Sequence, residues 1–422
     1  DVFISNTSGY NNVAVGRASL YDNVSGANNV AVGRSSLLNN TNSDNSAFGS
    51  YSMFYNTSGS HNTALGRSAL YNNTTASDNT AVGSNSSYNN TIGTRNVAVG
   101  RSAQYNTTTG SYNVSVGTYS MNLNTTGQEN TAMGNSALYS NTTANGNSAI
   151  GAYAMFDNTT GEFNTSLGRS ALENNTTASN NVGIGAYASF NNTSGYQNTA
   201  VGRSSQYTNT IGFYNTSVGA FSLQFNVSGD YNVAIGRSSL RSNLADFNTA
   251  VGAECLFSNT SGYQNTAVGR GSMYNNTTGY YNTSLGFYSL YENTTGFNNV
   301  AIGRYSLRFN TGDQNTGLGS ESLYTNSSGD RNTAVGFNAL YSSTTSNDNT
   351  AVGYQALAFN TTGYQNTAVG SRASNNATTG IRNVAVGRDA LLTNTSGSGN
   401  ISIGFNSANK ITTQSNNTAV GH

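Results

Sequence analysis

The sequence predicts an all-β fold, a parallel β-solenoid (β-roll) of about 17-residue coils with a 34-residue superperiod, and three observations carry that expectation. A five-residue phrase, Asn-[Thr/Val/Ser/Ile]-[Ala/Ser/Gly]-apolar-Gly, returns from Asn12-Val13-Ala14-Val15-Gly16 to Asn417-Thr418-Ala419-Val420-Gly421. The chain has no proline, so no position deletes a donor from a continuous hydrogen-bond ladder. Its Val, Ile, Leu, Phe and Tyr recur in fixed register, and β-branched residues, Gly and Tyr favour strands and turns over a pair of helices.

The repeat runs through all 422 residues without a change of composition, which reads as one array. Residues 1–11 are a partial repeat, 12–416 hold twenty-four repeats and 417–422 begin another. A unit of a stack cannot bury its apolar face alone and relies on its neighbours. The opening at Asp1, part way through a repeat, is that expected of a processed product or a portion of a longer chain.

Aligned on the glycine, the copies give Asn-Thr-Ala-Val-Gly-Arg-Ser-Ala-Leu-Tyr-Asn-Asn-Thr-Thr-Gly-Tyr-Gln, with 16-residue copies beginning at Asn29, Asn232 and Asn299. At about 3.3 Å per residue such a unit wraps two strands of roughly five residues and two turns, with coils pairing at about 4.8 Å. One repeat per turn implies a length on the order of 115 Å, and two repeats per turn half of that.

Each position has a physical reading. The fourth residue is always apolar (Val15, Phe48, Leu65, Met133, Ile150) and is expected to fill the core. The second is mostly Thr or Val, which share a β-branched shape. The third never exceeds Ser in size (Ala14, Ser115, Gly183, Gly317), so the opposite wall or another chain approaches it closely. Gly16 and its equivalents are expected at a positive φ. The leading asparagines Asn12, Asn29, Asn45, Asn62, Asn79, Asn96, Asn113, Asn130, Asn147 and Asn164 are expected to bond one another from coil to coil as a ladder.

Over this period lies a second. Copies with Arg after the glycine (Arg67, Arg101, Arg169, Arg203, Arg237) alternate with copies carrying an aromatic residue one place on (Tyr51, Tyr119, Tyr153, Tyr187, Phe221). Alternation separates like charges and sets an aromatic face between them.

Little in the chain suits catalysis. His61 and His422 lie at opposite ends, and Asp44, Glu129, Asp157 and Glu254 do not recur at one facing position. No acid/base pair, activated nucleophile, metal-ligand spacing, calcium-binding nonapeptide or phosphate loop is present in the sequence, and neither an enzyme nor a cofactor is expected. Charged residues are 8% of the chain with zero formal net charge and no basic cluster, which argues against nucleic acid. No apolar run reaches membrane-spanning length, so no membrane insertion is expected. Cys255 replaces a small residue and reads as a packed, unreactive thiol.

The sequon Asn-x-[Ser/Thr] falls in one loop of most repeats. Asn6, Asn23, Asn56, Asn73, Asn106, Asn124, Asn141, Asn158, Asn175, Asn192, Asn226, Asn259, Asn276, Asn293, Asn326, Asn360 and Asn394 are therefore candidate N-glycosylation sites. The plainer account is a turn that prefers Asn, Thr and Gly. Tyr and Phe after the Leu position (Tyr71, Phe156, Tyr207) and before the next Asn (Tyr196, Tyr263, Phe297) read as stacks, and aromatic rows also suit carbohydrate.

The phrase resembles the head repeats of trimeric autotransporter adhesins, which form left-handed parallel β-rolls, and similar tracts of phage tail fibres. The match covers five to eight residues per repeat, while the period here is longer and carries an added Tyr-x-Asn-Thr-Thr-Gly loop. The resemblance implies trimerisation. With low charge and polar loops, it leads to an extracellular or cell- or virion-surface structural and adhesive filament, self-associating end to end or laterally. The alternatives are the shaft of an adhesin or tail fibre that binds a receptor, and an ice-binding solenoid.

Overall fold

The structure, a computed structural model, describes residues 5–422, which fall into two compact units, Asp1–Tyr214 and Asn215–His422. Each is an all-β stack, and the described residues hold twenty-five strands and no helix. Strands run from Val13–Val15 to Thr199–Val201 in the first unit and from Thr216–Val218 to Thr418–Val420 in the second. Each pairs in parallel with its copy one repeat away, Val13 opposite Val30 and Thr216 opposite Val233. One repeat therefore closes one turn.

Each coil contains a single three-residue strand, not two of about five. The cause is left-handed backbone. In the coil from Asn62, Gly66 sits at φ 143°, and Ser68, Leu70 and Asp78 sit at 55°, 51° and 62°. Four such residues bend the chain too often for a second strand. A Cβ on Gly66 would collide with the carbonyl of Gly83 in the next coil, so glycine is required there. The other three adopt a region open to ordinary residues at about 1–2 kcal/mol each, which no glycine advertises. The turns still bond from coil to coil: Leu70 N–H donates to Ser86 O at 3.0 Å and Thr57 N–H to Thr74 O at 2.9 Å. Many of the backbone donors outside the strands are satisfied in this way.

The 16-residue copies lose their residue from the Thr-Thr-Gly loop. Asn40 Nδ2 reaches Asn42 O two residues on, where Asn56 reaches Gly59 three residues on, and the strand register is unchanged.

The core contradicts one sequence expectation. The fourth residue of the phrase faces outward, with Val15 56%, Leu65 49% and Met133 42% exposed. The third lies inside, as with Ala31, Ala47 and Ala64. In a three-residue strand alternation turns only the middle side chain inward. The interior is filled by Leu or Met four places after the glycine, such as Leu37, Met53 and Leu70. A Cβ on Gly183 would lie 3.0 Å from Leu172 Cγ, so the opposite wall sets the size limit at the third position. Ser87 and Gln104 take the Leu place in two successive coils and separate the apolar cluster around Leu70 from that around Leu138.

Candidate functional site

Three sets of side chains recur along the stack. The leading asparagines form the first. Asn29 N–H donates to Asn12 Oδ1 at 2.9 Å, and Asn29 Nδ2 donates to Asn42 O at 2.9 Å. The pattern passes through Asn45, Asn62 and Asn79, where the amides also bond each other at 3.2 Å. It continues through Asn96, Asn113, Asn130, Asn147 and Asn164. All of these are buried except Asn12 in the first complete coil, which is half-buried.

The sequon asparagines form a second buried row. Asn73 Nδ2 donates to Asn56 Oδ1 at 2.7 Å, and Asn141, Asn158, Asn175 and Asn192 continue it at 2.8–3.1 Å. In the second unit Asn276 donates to Asn259 and Asn293 to Asn276, at 2.8 and 2.9 Å. Each also donates to the carbonyl three residues on, as Asn158 does to Gly161 O at 3.0 Å, and so closes its own loop.

This placement corrects the expectation of glycan rows. Asn23, Asn56, Asn73, Asn124, Asn141, Asn158, Asn175, Asn192, Asn226, Asn259, Asn276, Asn293, Asn326, Asn360 and Asn394 are at most 1% exposed. An amide nitrogen enclosed between coils and already donating to the carbonyl three residues on has no room for a sugar. Asn6, in the outermost described coil, and Asn106 are half-buried. In that coil the sequon lies one place earlier, so Asn106 falls in the outer column of Asn72 and Asn89 and Thr107 occupies the interior place.

The outward strand face is the third set, and sequence reasoning missed it. It carries a Thr or Val column at the second position and a large apolar column at the fourth. In the first unit the latter includes Phe48, Leu65, Met133, Ile150 and Leu167, and in the second Ile235, Leu285, Leu318 and Ile403, all at least 40% exposed. The readable signal was the third position, whose invariant smallness marks it as the residue facing the wall.

Aromatic rows flank these sets. Tyr71, Tyr88 and Tyr105 stack at 4.9 and 5.1 Å with rings 4° and 10° from parallel, and Tyr263, Tyr280 and Phe297 do the same at 5.1 and 5.0 Å. Burial and neighbouring phenols push Tyr71 and Tyr88 above the usual phenol range, so both stay neutral hydroxyls. The arginines lie over aromatic rings of the next coil: Arg34 over Tyr51 and Arg101 over Tyr119 at 5.0 Å, Arg169 over Tyr187 at 5.9 Å. Where Glu254 replaces the aromatic, Arg237 pairs with its carboxylate instead.

Cys255 is fully buried, its thiol donates to Ala267 O at 3.2 Å, and burial pushes its pKa up to about 12. His61 lies 3.8 Å from Asp44 one coil away, both exposed. Among the described residues no three His, Cys, Asp or Glu side chains converge on a metal position, and no helix is long and apolar enough to cross a membrane. No protein-family model matches the chain, and no curated protein matches it in sequence.

Proposed function

We propose that this chain is the structural part of an extracellular or surface-borne adhesive fibre, and that it associates laterally with copies of itself through the outward strand face. The observation that carries the reading is the exposed apolar column. Every coil places an apolar side chain on the outward side of its strand, exposed in about half of the coils and half-buried in the rest, while admitting only Ala, Ser or Gly at the position beside it that faces in. Contiguous exposed apolar surface of this kind marks an interaction face. A second chain related by a rotation about the stacking direction meets the column with the same column, since the spacing of coils is common to both. Three chains around an axis, as the adhesin resemblance implies, bury all three columns at once.

The low charge of the chain and the two internal asparagine rows fit a load-bearing element whose surface is neutral and whose coils are cross-linked by side chains. The shaft of a bacterial adhesin or phage tail fibre, with receptor specificity outside this array, is the specific form that the resemblance favours. Ice binding is the weaker reading. The second position mixes Thr with Val and the fourth varies from Val to Phe, so the face lacks one repeated hydroxyl lattice. Sedimentation of the intact chain at several concentrations tests the proposal: oligomers are expected, and a single chain throughout would overturn it.

A further inference from the structure

A groove in the first unit has a composition found nowhere in the strand face. Its lining residues are Tyr55, Asn72 and Asn89 along one side and Thr57, Thr74, Thr91 and Thr108 along the other, and its volume is about 460 Å³. The asparagines bond along the stack, Asn72 Nδ2 to Asn89 Oδ1 at 2.9 Å and Asn89 Nδ2 to Asn106 Oδ1 at 3.1 Å. Unlike the two interior rows they are only half-buried, so each amide keeps an N–H and an oxygen lone pair for an outside partner. The threonine hydroxyls are committed to the next coil, Thr74 to Thr91 O and Thr91 to Thr108 O at 3.0 Å, which leaves their methyls to line the opposite wall.

Tyr55 closes one end. It stands in the asparagine row but does not join the ring stack: its ring is 86° from Tyr71, while Tyr71 and Tyr88 are nearly parallel. At 44% exposure it offers a ring at the head of the groove, with its hydroxyl shared with that of Tyr71. The groove thus combines one aromatic platform at its head with a comb of planar amides and an apolar wall, the last two repeating from coil to coil at the 4.9–5.1 Å spacing of the neighbouring ring stack. An extended chain of equatorially 1,4-linked pyranoses advances one sugar by nearly the same distance. It presents hydroxyls along its edges and C–H groups on its faces, the complement of amides and of methyls and rings.

We infer that this groove binds an extended β-1,4-linked glycan running parallel to the stacking direction, one sugar per coil from Tyr55 to Asn106. Flexible or helical glycans cannot keep the register, and the repeat spacing therefore supplies the specificity.

The test is titration calorimetry of the full chain with cello-oligosaccharides and chito-oligosaccharides of increasing length, and with α-1,4-linked malto-oligosaccharides. Affinity is expected to rise with length until the sugar spans the coils of Thr57 to Thr108, and then to level off. Binding in the cello or the chito arm identifies which substituent the groove takes. Asn89→Leu and Tyr55→Ala should each weaken binding by about tenfold, the scale of one lost polar or stacking contact, and Thr325→Ala, outside the groove, should leave it unchanged. Circular dichroism checks folding, and Tyr55→Ala, at an exposed position, carries the test should Asn89→Leu not fold. No saturable binding in either β-1,4 arm, equal binding of the malto series, or insensitivity of folded variants would overturn the inference.

Discussion

Asn73 Nδ2 donates to Asn56 Oδ1 at 2.7 Å across one coil, and neither side chain has any contact with solvent. The same amide donates to Ala76 O at 3.0 Å, so one side chain fixes both its own loop and the step to the preceding coil. Removing such a residue strands partners in two coils, and that asymmetry governs what substitution does here.

Asn158→Ala takes the acceptor from Asn175 Nδ2 and the donors from Asn141 Oδ1 and Gly161 O. A local loss of about 2–4 kcal/mol is expected, against less than about 1 kcal/mol for the half-buried Asn106→Ala. Hydrogen exchange read by mass spectrometry resolves the effect coil by coil, which suits a stack whose stability is a sum of neighbour terms.

The second row has breaks that can be mended. Ala377 stands where an asparagine would link Asn360 to Asn394, and the Oδ1 atoms of both are buried without a partner. Ala377→Asn is expected to add about 1 kcal/mol by giving Asn360 a donor and its own loop a clasp. Chemical denaturation of the two chains compares them directly; an unchanged midpoint would show that the interior there has no room for the amide.

Secretion through a glycosylating host gives a third outcome. Folded material is expected to carry no sugar on Asn73 or Asn158, while Asn106 remains open to modification; glycopeptide mapping of the soluble fraction reads this. A glycan on Asn73 in folded chains would contradict the buried row.

Burial pushes the Asp389 carboxyl up, but hydrogen bonds from Arg372 and Arg388 outweigh it and hold the group below its usual range. The ion pairs are 2.7 and 3.1 Å long, and Asp389 is 3% exposed. A depressed pKa contributes stability above the unfolded value of about 3.9, lost as pH falls through the lower folded value. The stability gap between wild type and Asp389→Asn is therefore expected to be constant near neutrality and to close only in strong acid, as urea titrations across pH will show.

Much of this molecule was legible in its sequence. The period gave the parallel coil, and the fixed Gly66 position gave a corner at positive φ. Two features were hidden for physical reasons. The apolar character of Leu65 pointed inward, but a coil this narrow admits one large side chain, Leu70, and the small Ala64 is the strand residue that meets the wall. The sequons looked like surface chemistry because Thr follows Asn in the loop. Asn90-Thr91-Ile92 and Asn40-Thr41-Asn42 keep the asparagine without completing a sequon, which was the available sign that the amide itself is what the loop needs. Left-handed Leu70 and Asp78 left no sequence mark, since their φ is open to any residue at modest cost.

Sedimentation velocity of the intact chain beside a variant carrying Phe48→Thr, Leu65→Thr and Met133→Thr tests the outward column most directly. These side chains are 40–49% exposed, so the variant should fold. The wild type is expected to sediment as a multiple of one chain and the variant as one chain with an unchanged far-ultraviolet spectrum. A wild type that stays a single chain at every concentration would contradict assembly through this face.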